Sequence, residues 1–184
     1  MSFLFRKITR SKWGLENFIA SRQVDDIPAE GLTCCIQTKD NTLSVWRSDV
    51  NGWDENLDLL ATLFASADGP SKSHVVVLRE DLLLQKGVNI AETVGLSPAV
   101  EQVNRKHRDL AKLNYKDMGT VAFELASILA NFEGLDENEI DQCLDYKIFT
   151  EGDVKKVVKE AINKGHIDPT KVSERWRKKL KLDQ

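Results

Sequence analysis

His107-Arg108-Asp109 sets an imidazole two residues from a carboxylate and beside a guanidinium, which invites a reading as acid–base chemistry. An imidazole there could act as a general base or as a pH-sensitive contact, because its ordinary pKa of about 6.5 lies near neutrality. Val100, Val103, His107 and Leu110, however, recur at helical spacing, which places His107 on a core stripe. On a helix, residues i and i+2 point to different faces, so His107 and Asp109 would not meet. The expectation is a hydrogen-bonded interior histidine.

Three further groups could carry chemistry. Thr9-Arg10, Ser48-Asp49 and Glu80-Asp81 follow the first three expected strands. Open parallel sheets bind ligands at such carboxyl ends, so Arg10, Asp49 and Asp81 are weak candidates for a hydrolase or transferase site. The plainer reading makes the two aspartates caps or turn residues. Cys34-Cys35 lacks the two-residue spacer of zinc and thioredoxin-type sites, and Cys143 stands apart. Core thiols are expected, with no metal site. Gly31-Leu32-Thr33 and Gly69-Pro70-Ser71 match neither the P-loop nor the dinucleotide pattern, so no cofactor is expected.

Charge is segregated along the 184 residues. Net charge is −3, yet Asp153 to Gln184 holds ten of the 26 Lys and Arg and only five of the 29 Asp and Glu. From Glu133 to Glu151 there are seven acids against the single base Lys147, without the loop spacing of a calcium site. Near the C-terminus Val172, Trp176 and Leu180 recur every four residues, among Lys171, Arg175, Arg177, Lys178, Lys179 and Lys181. A helix of that kind can dock on its own domain, on a protein groove, on an anionic membrane or along phosphates. Trp176, Arg175, Arg177, Lys178, Lys179 and Lys181 are the candidate interaction residues.

The elements that would carry these groups follow from hydrophobic periodicity. Strands are expected over Phe3–Thr9, Thr42–Arg47 and His74–Leu78, with helices from Lys12 to Arg22, Pro28 to Gln37 and Asn56 to Ala67; Lys39-Asp40-Asn41 is a turn. Strand, helix, strand over Thr42–Leu78 predicts a parallel βαβ core. Val88–Leu96 lacks a period and marks a boundary. Beyond it only helices are expected: Pro98–Ala111, Tyr115–Asn131, Glu137–Lys147, Thr150 to Gly165, and one after Asp168-Pro169. The fold class is thus α/β, with a small sheet on a parallel βαβ core in residues 1–94 and an all-helical region, 95–184, packed on it, as two units or as one continuous domain. A single α+β domain with an antiparallel sheet is the alternative.

Composition is that of a packed globular chain, 41% hydrophobic and 30% charged. Met1 to Lys7 does not read as a signal peptide, and no window holds the ~20 apolar residues of a membrane span. A cytoplasmic location is expected. The function expected is a non-enzymatic protein–protein interaction module, such as an adaptor, a regulatory subunit or an immunity or antitoxin-type partner, with a protein partner or self-association. Nucleic-acid association through the basic C-terminal helix is the alternative, and a small hydrolase or transferase at the strand ends comes third.

Overall fold

The computed structural model describes residues 1–36 and 40–182, apart from the side chains of residues 137 and 138. The strands are β1 (Phe3–Ile8), β2 (Leu43–Ser48), β3 (Ser73–Arg79), β4 (Asn89–Glu92), β5 (His107–Ala111) and β6 (Tyr146–Phe149). They form one sheet in the order β4-β5-β2-β1-β3-β6, and every neighbouring pair is antiparallel. The helices are α1 (Glu16–Ser21), α2 (Ala29–Cys35), α3 (Leu57–Ala65), α4 (Glu80–Gln85), α5 (Glu101–Asn104), α6 (Tyr115–Ala130), α7 (Glu137–Asp141), α8 (Glu151–Asn163) and α9 (Glu174–Leu180).

The parallel βαβ core expected from the sequence is not present. β2 and β3 do run the same way, because each is antiparallel to β1, and α3 crosses between them. β1 occupies the place between the two, so they never touch as neighbours. Chain order implied adjacency, but a split crossover accommodates a strand from elsewhere.

The all-helical C-terminal half is also overturned. Pro98–Ala111 is not one helix: α5 spans four residues and His107–Ala111 is β5. Nothing in His-Arg-Asp-Leu-Ala favours a strand intrinsically; ladders to β2 on one side and β4 on the other impose it. The helix expected over Glu137–Lys147 stops at Asp141, and β6 follows. There Tyr146 and Ile148 face one layer while Phe149 faces the other, the period of two that a strand requires. Val88–Leu96, expected to be irregular, contains β4. Strands from both sides of residue 94 therefore share the sheet. In the turn after α2, Asp40 and Asn41 are left-handed, while Gln37 and Lys39 lie outside the described residues.

Helices cover both faces. Against one, Leu4, Val45, Val76 and Leu110 pack with Phe18 of α1, Leu83 of α4 and Val121, Leu125 and Leu129 of α6. Against the other, Phe5, Trp46, Val75 and Val77 pack with Leu59, Leu60 and Phe64 of α3, Val103 of α5, Val154 and Val158 of α8, and Trp176 of α9. β1 and β2 pair from Phe3↔Ser48 to Phe5↔Trp46, and beyond that the side chain of Arg6 takes over. Its Nη1 donates to the Ser44 carbonyl (2.6 Å), and Nε and Nη2 donate to that of Cys35 (3.1 and 2.6 Å). Burial lowers the guanidinium to about 10, so this cation ties α2 to the sheet through carbonyls.

Candidate functional site

The basic residues of the C-terminal region are held by two helices with well-defined starts. Thr150 and Asp153 form a capping box at α8, with Thr150 Oγ1 accepting from Asp153 N (3.2 Å) and Asp153 Oδ2 accepting from Thr150 N (2.9 Å). Val154, Val157, Val158 and Ala161 are buried against α3, and Gly165 ends the segment in the left-handed conformation at φ 72°. Each fully buried valine contributes about 1.5–3 kcal/mol of gross hydrophobic stabilisation. The valines take the inner face, so the lysines of α8 are left on the others.

α9 is capped by Ser173, whose Oγ accepts from Trp176 N (3.2 Å). Trp176 is fully buried, and its Nε1 donates to the Ala67 carbonyl (3.1 Å) beyond α3. The tryptophan expected at an interaction surface is therefore the anchor that docks α9 on its own protein. Lys181 closes the helix in a left-handed C-cap at φ 56°.

Docked in this way, the two helices bring Lys155, Lys156 and Lys159 of α8 together with Lys179, Leu180 and Lys181 around a cleft of about 370 Å³. Lys155 is paired with Glu151 at 2.6 Å. That contact holds the Glu151 carboxyl below its usual range, with Lys179 and Arg175 adding to the effect. Among the described residues Lys156, Lys159, Lys179 and Lys181 have no carboxylate within ion-pair distance. The other expected interaction residues stand differently. Lys178 pairs with Glu174 at 2.5 Å, and Arg175 approaches Asp68 at 3.8 Å, both beside a neighbouring cleft. Arg177 has a partner as well. The sequence places Lys155, Lys156, Lys159 and Lys164 of α8 off its valine stripe, but they were not counted among the candidate interaction residues, although Lys155 and Lys159 are four residues apart and so share a helix face.

Arg10, Asp49 and Asp81 do not converge. β2 and β3 run against β1, so Asp49 and Asp81 lie at the end where β1 begins and Arg10 at the other. Arg10 pairs with Glu133 and donates to the Trp13 carbonyl. Asp49 accepts from Ser2 Oγ (3.0 Å) and pairs with Arg47 (3.1 Å). Asp81 is bound by Arg79 at 2.6 Å, which lowers its carboxyl pKa.

His107 is buried, but on a strand, where i and i+2 share a face, so Asp109 does lie on its side. The separation of 3.9 Å from Nε2 to Asp109 Oδ1 is too long for a hydrogen bond. Nδ1 shares one with Thr93 Oγ1 at 2.7 Å, and the ring stands edge-on to Trp46. Burial lowers its pKa, which favours the neutral ring. Cys35 is buried, with its Sγ accepting from Thr9 N and Trp13 Nε1, each at 3.2 Å, whereas Cys34 is exposed. Among the described residues no three His, Cys, Asp or Glu side chains are grouped to hold a metal ion, and no helix is long and apolar enough to cross a membrane.

No protein-family model, curated protein or solved structure matches this chain.

Proposed function

We propose that this chain is a non-catalytic binding module that docks an acidic segment of a partner protein in the lysine cleft between α8 and α9. The reading is carried by four lysines that, among the described residues, have no carboxylate within ion-pair distance, held around one concavity by helices whose apolar sides are anchored. Bringing like charges together costs stability unless an anion answers them. A protein carboxylate cluster suits the site better than a nucleic acid does. The cleft offers ammonium point charges, while the tryptophan that could stack on a base is buried. Three free thiols suit a reducing cytoplasm.

The test is a fluorescence-anisotropy titration with a labelled oligoglutamate peptide and with a single-stranded oligonucleotide of equal charge. The peptide is expected to bind with salt-sensitive affinity, and K156E/K159E/K179E/K181E to abolish that binding. Equal binding by the variant, or retention of the oligonucleotide alone, would refute the reading.

A further inference from the structure

A six-stranded open sheet has two edges, and here they differ. In an antiparallel ladder, alternate residues bond to the neighbour on either side. Arg47 N donates to Lys106 O (2.8 Å), and the register then has Arg108 and Leu110 bonding to β2 and His107, Asp109 and Ala111 bonding to β4. Asn89 and Ala91 therefore bond inward, and Ile90 and Glu92 turn their N–H and C=O groups outward. At the opposite edge the same alternation turns Tyr146 and Ile148 outward, but Lys147 lies in that strand and α7 packs beside it. Lysine and a covering element are devices that blunt an edge.

β4, Asn-Ile-Ala-Glu, has no lysine and no proline. Its surroundings are apolar: Val94 is 62% exposed, Leu96 is fully exposed, and Leu84, on the helix that packs against β4, is 52% exposed. The charges at its two ends are neutralised within the chain, Lys86 by Glu124 and Glu92 by Arg108.

We propose that β4 pairs with itself: a second copy of this chain adds its own β4 antiparallel across a twofold axis at Ala91, joining two sheets into one. The occupant is a second copy because the strand is complementary to its own reverse. With Ala91 on the axis, Ile90 faces Glu92 of the second copy, so the outward donors and acceptors meet. Asn89 faces Thr93, polar against polar. Val94 and Leu96 swing toward the Lys86 end, where the lysine stem and Leu84 can cover them. The small side chain at Ala91 suits the non-hydrogen-bonded position, where the backbones come closest. The strand is short, so the dimer should be concentration-dependent.

Sedimentation equilibrium of the full chain tests this directly. The mass should rise with concentration from 20.8 kDa toward twice that value. Glu92→Pro deletes an outward N–H and spares the ladder to β5, since proline is tolerated where an edge N–H faces outward. V94K/L96K alters only the flanking loop and guards against misfolding of the proline variant. Both should stay at the monomer mass with unchanged far-ultraviolet circular dichroism, and the Ile90 and Glu92 amides should be protected from exchange only in the wild-type dimer. A wild type that remains monomeric at the highest concentration, or a dimer that survives in both variants, would overturn the proposal.

Discussion

Replacing Trp176 tests the arrangement on which the lysine cleft depends. The side chain is fully buried, and its indole N–H is bonded to the Ala67 carbonyl. Truncating a buried aromatic to alanine costs about 3–5 kcal/mol. Trp176→Phe keeps most of the apolar volume and removes the donor to a half-buried carbonyl, a net loss of about 0.5–1.5 kcal/mol. Lys178→Ala, two residues further on and in an exposed pair with Glu174, should leave stability nearly unchanged. Urea unfolding followed by far-ultraviolet circular dichroism would rank the three, and the order alanine, phenylalanine, lysine control is required. Trp176→Ala should also weaken oligoglutamate binding, because Lys179 and Lys181 lose their position beside α8. If Trp176→Ala costs less than about 1 kcal/mol, α9 is not docked by its tryptophan, and the reasoning that places the cleft fails.

Three other outcomes are expected. Burial lowers the pKa of His107, so the unfolded chain binds the proton first as pH falls. The stability from the neutral ring is fully present above the unfolded value of about 6.5 and is lost as pH falls through the folded value, so urea midpoints should drop on acidification, and less steeply in His107→Gln. Arg6→Met should destabilise by about 2–4 kcal/mol, because the carbonyls of Cys35 and Ser44 lose a charged donor; thermal melts give the number. Thr150→Ala removes half of the α8 capping box and should cost about 1 kcal/mol in chemical denaturation.

Where periodicity extended over many residues, it was legible in the sequence. β1, β2, β3, α3, α6 and α8 lie where apolar spacing and caps put them, because each buries a long face on the core. β5 and β6 were missed for a different reason. They are four or five residues long, and β5 owes its form to neighbours on both sides that local preference does not report. Mistaking β5 for helix also reversed the geometry of His107 and Asp109, since the same two-residue spacing separates side chains on a helix and aligns them on a strand. The parallel core failed because strand order is decided by β1, far away in sequence. At the candidate site, the basic character of α9 was visible in its residues. Its convergence with Lys155, Lys156 and Lys159 was not, because that depends on where the buried Trp176 docks α9.

The central claim, that the α8–α9 lysines form one docking site, is tested most directly by nuclear magnetic resonance titration with an oligoglutamate peptide, following backbone amides and lysine side chains. The account predicts saturable shifts centred on Lys155, Lys156, Lys159, Lys179 and Lys181, with β4 and the Arg47–Asp49 ion pair unmoved. Shifts spread evenly over every exposed lysine, or centred elsewhere, would contradict it.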